Sequence, residues 1–386
     1  MKTFYNTLSA LALVLVSFSA SATVYRVNNQ PGVDADYTTI ASAITAAATG
    51  DTLYVESSVL TYGVMTLNKR LVILGAGYFI AANDSTQALP NSSRFDRIVV
   101  QSSGSGSVIA GVEVRNTDSN NTTNPFAMVD VQTNANNVSF IRCYFFHAAQ
   151  GNSTSASGAA LNISNSASNT LVTQCFIEQD ADRSDGSCSG CCLNSYAVNI
   201  GSNCSGLVFS NNIIKFGNKN ASYASSCTQR AFQMATSSSA IIVNNVFMGP
   251  IYAYNSVFAN NIQISGTTSP GSSFINDGSF PNVIQNNLGH LTQFGTSTGN
   301  QSNVNMVDVF TYGPGNERTD NHYILKAGSP AIAAGVGGID CGAFGGEGAF
   351  KLSGLPGIPA IFQAVVPFQG NTTDGLNITL DAKSHQ

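Results

Sequence analysis

"IIVNNVF", Ile241–Phe247, places two amides inside an apolar run, where burial should be costly. "LVFSNNII" does the same at Leu207–Ile214, and "VFANNIQI" and "NVIQNNLG" follow from Val257 and Asn282. When each segment is anchored on the residue before its last apolar pair, the anchors are Val112, Cys143, Cys175, Asn212 and Asn245. An apolar residue stands three before each anchor and another two after it, as with Phe209 and Ile214 around Asn212. The anchors fall 31, 32, 37 and 33 residues apart. The next two, Asn261 and Asn287, follow at 16 and 26, and the short step predicts that Asn261 lies on another side of the molecule.

Val, Ile and Phe alternating over short runs, separated by loops such as "GNSTSASG" and "MATSSSA", read as strands and not as helical hairpins. One strand recurring at a near-constant interval predicts an all-β fold: a single-stranded right-handed parallel β-helix. Equivalent residues then sit about 4.8 Å apart along the axis. An Asn at the inward bend of each coil can donate to the amide on one side and accept from the other, and its backbone can take the left-handed conformation a bend needs. The expected column is Cys143, Cys175, Asn212, Asn245 and Asn287, with the two cysteines as small buried substitutes; in-register stacking favours free thiols there over the alternative, a disulfide between them. Composition alone is the rival explanation for Asn pairs, but it does not make the flanking apolar positions recur.

The 386 residues carry a net charge of −5 with only 10 % charged side chains. That supplies no phosphate-binding stripe and argues against a nucleic-acid partner. A hydrophobic fraction of 43 % suffices for a core. Lys2, the apolar Leu8–Phe18 and "ASA" at 20–22 predict an export signal over residues 1–22, and no segment is long and apolar enough to span a membrane. The expected location is secreted or at the cell surface. Export permits disulfides. Cys188, Cys191, Cys192, Cys204 and Cys227 cluster, which favours a stapled loop over a zinc site because no second ligand pair follows "CSGCC".

"TTIASAITAAATG" has Ile40, Ala43, Ile44 and Ala47 at helical spacing, a short N-terminal helix expected to cap the first coil. "YTTIASAITAAATGDTLYVESSVLTYG" followed by "LVILGAG" resembles the entry segment of the pectin-lyase-like β-helix superfamily, its pectinesterase branch included. "ILKAGSPAIAAGVGGIDCGAFGG", Ile324–Gly346, is similar to a closing segment of secreted bacterial β-helix proteins. The expected organisation is a β-helix over 23–350 and a tail over 351–386 that adds a last strand along the coil or lends one to a neighbouring molecule.

The superfamily holds lyases, hydrolases, esterases and proteins without catalysis, so the resemblance implies fold more than activity. Where pectinesterases place Gln-Ala-Val-Ala this chain reads Phe126-Ala127-Met128-Val129, and Gly151 stands in the place of their catalytic aspartate. Lyases of this fold pair a Ca²⁺-holding carboxylate cluster with an Arg or Lys base. The matching charged patch is "IEQDADRSD", 177–185. It gives Glu178, Gln179, Asp180 and Asp182 as ligand contacts, with Asp180 and Asp182 also as Ca²⁺ ligands and no other cofactor expected. Lys215, Arg183 and His147 are the catalytic candidates, Lys215 one coil from Glu178 and His147 in the column of Gln179. The alternative for the patch is a loop of solvated ion pairs. Two functions follow as expectations. One is a non-catalytic surface protein that binds glycans or assembles with itself. The other is a secreted polysaccharide lyase or glycoside hydrolase acting on an acidic polysaccharide.

Overall fold

The computed structural model describes residues 22–83, 89–115, 127–148, 158–180, 195–217, 229–264, 274–275, 278–312, 319–370 and 375–384. Three parallel sheets wind around one core. The first sheet has ten strands, from Val24–Val27 to Val283–Gln285. The second has eight, from Arg94–Phe95 to Leu288–Gly289, and the third eight, from Val64–Leu67 to Phe274–Ile275. One coil runs Ser139–Ile141, Tyr144–Ala148, Gly158–Ile163 and returns at Leu171–Thr173, visiting the sheets in that order. Each strand therefore pairs with its counterpart one coil away, as Phe140 does with Ile109 and Val172. Inward positions such as Phe140, Val172, Phe209, Ile242 and Phe258 are fully buried, and stacking them is what drives the coil shut.

The bend from the first sheet to the second explains the Asn pairs, and it divides the work between the two residues. The first residue of each pair takes the left-handed backbone: Asn211, Asn244, Asn260 and Asn286 have φ of 55°, 57°, 57° and 54°. Asn tolerates that region better than most side chains. In earlier coils the same place is held by Gly111, Arg142 and Gln174, with φ of 67°, 55° and 56°. The second residue points inward and builds the ladder. The backbone N–H and Nδ2 of Asn212 both donate to Asn245 Oδ1, each at 2.9 Å. Asn245 repeats this on Asn261 at 2.9 and 3.0 Å. Asn261 repeats it on Asn287, and Asn287 on Asn300. At the other end the Cys175 N–H donates to Asn212 Oδ1 at 2.9 Å, and the Cys143 N–H points at Cys175 Sγ at 3.4 Å.

Two expectations change. The left-handed residue precedes the ladder residue and is not the ladder residue itself. Asn261 stands in the ladder, because the coil there shrinks to three short strands, Val246–Met248, Ile251–Tyr252 and Val257–Ala259, so sixteen residues complete a turn.

The outer Asn of each pair has a second task. Asn211 Nδ2 donates to the carbonyls of Ala343 and Gly345, Asn244 Nδ2 to Asp340 and Asn286 Nδ2 to Ala334. Asn260 Oδ1 accepts from the Val336 N–H. These bonds clamp the closing segment along the bend. Residues between 306 and 350, among them Met306, Phe310, Tyr323 and Phe350, then cover the outer face of the second sheet and bury Phe176, Ile213 and Ile262. That sheet is therefore buried on both sides, whereas no described segment covers the outer faces of the other two in this way.

A helix does form at Ile40–Ala46, started by Thr39, whose side chain accepts from the Ser42 N–H. Its Ile40, Ala43 and Ile44 join the main core beside Val27. The described residues of the tail add no strand to the coil. Pro359–Val365 and Thr379–Ser384 pair with each other as an antiparallel hairpin. Cys143, Cys175, Cys204 and Cys341 are buried free thiols. Cys204 thus drops out of the expected stapled loop, and Cys188, Cys191, Cys192 and Cys227 lie outside the described residues. No helix among the described residues is long and apolar enough to cross a membrane.

Candidate functional site

The sequence pointed to one charged patch, and the structure splits it between two faces of the second sheet. Glu178 pairs in register with Lys215, and Oε1 lies 3.1 Å from Nζ with side chains only 2 % and 4 % exposed. Phe146 and Met248 flank them in the same column, and the Tyr144 hydroxyl donates to Glu178 Oε2 at 3.2 Å. These residues face outward, yet they are buried. His147 and Gln179 share the next column with Phe216 and, by strand alternation with Ile177, point into the coil. The His147 ring occupies the space left by Gly158, where a Cβ would fall 2.3 Å from Cε1. So the pair and the histidine do not converge in one groove, and the pair is not a solvated loop bridge either. Asp180 ends the strand Phe176–Asp180 with its backbone in register with Ala148 and Gly217. Asp182 and Arg183 lie outside the described residues. Among the described residues, no group of three or more His, Cys, Asp or Glu is placed to hold a metal ion.

The outer face of the third sheet carries a different set. Register stacks Asp130, Asn162, Asn199, Gln233 and Tyr252 in one column. Asn162 Nδ2 donates to Asp130 Oδ1 at 2.9 Å, and Asn199 Nδ2 to Asn162 Oδ1 at 2.8 Å. Then the chain of bonds stops. Asn199 Oδ1 accepts no bond from a described residue, whereas Gln233 Oε1 accepts from Arg230 Nη1. The Arg230 guanidinium lies over the Tyr252 ring, 3.3 Å from its centroid, a cation–π contact that fixes a planar donor fork. Beside it, in register, stands Tyr196. Burial raises the Tyr196 hydroxyl above its ordinary pKa, and the Arg230 charge opposes that shift. At the other end Arg97 lies 3.5 Å from Asp130, with the two side chains 30 % and 16 % exposed.

Chemically this is a row of amides, two aromatic rings and two guanidinium groups on the outer face of one sheet, half-buried except for the buried Asn162. Neutral donors and acceptors at fixed spacing suit hydroxyl-rich ligands, and an Arg fork suits a carboxylate. Sequence reasoning missed the row, although a signal for it exists. "VDV" at 129–131, "LNI" at 161–163, "VNI" at 198–200 and "FQM" at 232–234 each place one polar residue between two apolar ones. Their polar positions recur at 32, 37 and 34 residues, the same rhythm as the bend anchors.

No family model and no curated protein matches the chain. Among solved structures the chain is similar to one described as rhamnogalacturonan lyase, at 12 % identity and a TM-score of 0.30, over 79 % of this chain and 95 % of that one. A likeness at that score carries no argument of its own, and the strand pairing does. Three stacked parallel sheets with an amide ladder at one bend define a parallel β-helix protein, the architecture that the resemblance to pectin-lyase-like proteins implied.

Proposed function

We propose that the protein is a polysaccharide-binding β-helix whose ligand lies along the outer face of the third sheet. The observation that carries this reading is the interrupted polar column: among the described residues nothing donates to Asn199 Oδ1, and Arg230, held flat on Tyr252, donates only to Gln233. A polymer laid parallel to the axis meets an amide or ring at each coil, about 4.8 Å apart. Arg230 favours an acidic sugar. The charge of the whole chain is negative, so recognition rests on this local cation and not on long-range attraction. Binding is the function we assign, because the row offers a sugar chain amide, ring and guanidinium contacts at each coil. In the same reading residues 1–22 are an export signal and the coil, over 23–350, is right-handed, the hand that parallel crossovers take. The helix Ile40–Ala46 closes its first turn, and the protein works outside the cell or on its surface.

The test is calorimetric titration with neutral and uronate-containing oligosaccharides, with and without Ca²⁺, while ultraviolet absorbance follows the double bond a lyase would create. Binding of a uronate oligomer that weakens at least tenfold in Arg230→Ala supports the reading. Equal binding by wild type and Arg230→Ala contradicts it, and unsaturated product would replace it with a lyase.

A further inference from the structure

The C-terminal hairpin and the outer face of the first sheet both expose large apolar side chains. In the hairpin, residues paired directly across the strands share a face. Ile361 pairs with Ala382 and Ala364 with Leu380, while Gln363 pairs with Asp381 and Val365 with Thr379. The face that carries Ile361 and Leu380 is thus apolar apart from Ser384, which pairs with Pro359. Ile361 and Leu380 are 45 % and 55 % exposed, and Phe368 in the connection is 99 % exposed. A lone two-stranded hairpin is marginal in water and needs a surface to pack on.

The three outer faces of the coil differ in what they offer. The third sheet presents Arg97, Asp130 and Arg230. The second is covered by the closing segment. Beyond its edge strand Val24–Val27, no strand of the first sheet contains a charged residue. Its outward column runs in register from Val72 through Leu171 and Ile241 to Val283, apolar but for Ser139, with Ile241 and Val283 47 % and 58 % exposed. The hairpin also springs from the border of this face. Leu355 O accepts from Arg142 Nη1 at the bend that leaves the first sheet, and Pro356 abuts Gly111 one coil away.

We infer that the occupant of this face is the hairpin of a second copy, exchanged reciprocally in a two-fold dimer. Area selects the reciprocal form. A seven-residue hairpin is about 23 Å long and about 10 Å wide, on the order of 230 Å² per face. One docking removes roughly twice that from water. Two dockings approach the ~1,000 Å² that a specific interface requires, and one does not. A two-fold operator brings both together, each copy giving its hairpin and its sheet.

Light scattering of the full chain across concentration should report twice the chain mass of 40.2 kDa. Leu380→Asp and Ile241→Asp should each give monomers at concentrations where the wild type is dimeric, raising the dissociation constant more than tenfold. Both positions are exposed, so thermal unfolding of each variant reports whether the fold is kept. An equal mixture of the two variants restores only one of the two dockings and, short of the area a specific interface requires, should associate at least tenfold more weakly than the wild type. Under mild oxidation, Leu380→Cys copies should crosslink to Ile241→Cys copies. A wild-type monomer at every concentration overturns the inference, as does a dimer that survives Leu380→Asp. So does a chain bearing both cysteines that crosslinks only within itself.

Discussion

Two amide columns run along this molecule, and they do opposite things with the same chemistry. At the bend between the first and second sheets, Asn212, Asn245, Asn261 and Asn287 are fully buried, and each passes two donors to the next side chain. Each also donates to a backbone carbonyl, as Asn212 Nδ2 does to Val172 O. On the outside of the third sheet, Asp130, Asn162, Asn199 and Gln233 stack at the same interval, but the bonding halts after Asn199. A polar column whose members satisfy one another is part of the core, because opening it strands buried groups. A polar column with spare valence at a half-exposed surface is available to a ligand.

Breaking a buried polar pair should give the largest effect. Lys215→Met leaves Glu178 buried without its cation and should cost about 3–5 kcal/mol in urea unfolding. Replacing both, Glu178→Met with Lys215→Met, should recover most of that loss, since an apolar pair can fill the site. Asn245→Leu should fall in the same range. It removes the acceptor for two Asn212 donors, at about 1–3 kcal/mol for each group left unpaired. A smaller loss, about 1–2 kcal/mol, is expected for Asn244→Ala, which puts a less tolerant side chain at φ 57° and releases Asp340 of the closing segment. Asn244→Gly should restore the backbone share but not the clamp. Smallest of all in stability is Asn199→Ala, within about 0.5 kcal/mol as an unburied position, while binding of a uronate oligosaccharide weakens about tenfold in titration. Equal stability losses at Asn199 and Asn245 would erase the distinction between the columns.

The coil was legible because its interior leaves few choices: every coil must send apolar side chains inward, and the bend must either ladder its amides or replace them. The pairs at 211–212 and 244–245 therefore repeat with Phe209 and Ile242 before them. Asn261 was misplaced because the interval was read as fixed, whereas the third-sheet strand of that coil contracts to Ile251–Tyr252. The second task of each outer Asn depends on the closing segment returning from far along the chain, 96 residues away in the bond from Asn244 to Asp340, and nothing local announces it. The candidate site was harder still. Fold does not constrain outward positions, so the densest charges drew attention to 178–185, yet Glu178 and Lys215 are spent on each other. Asn162 and Asn199 looked like ordinary members of an Asn-rich chain until the register set them in line with Asp130 and Gln233.

The most direct test is a crystal structure of the protein soaked with a uronate oligosaccharide. The account predicts sugar density along the third sheet, with a hydroxyl within hydrogen-bond reach of Asn199 Oδ1 and a carboxylate on the Arg230 guanidinium. Density at the Glu178–Lys215 corner instead, with the third sheet bare, would contradict it.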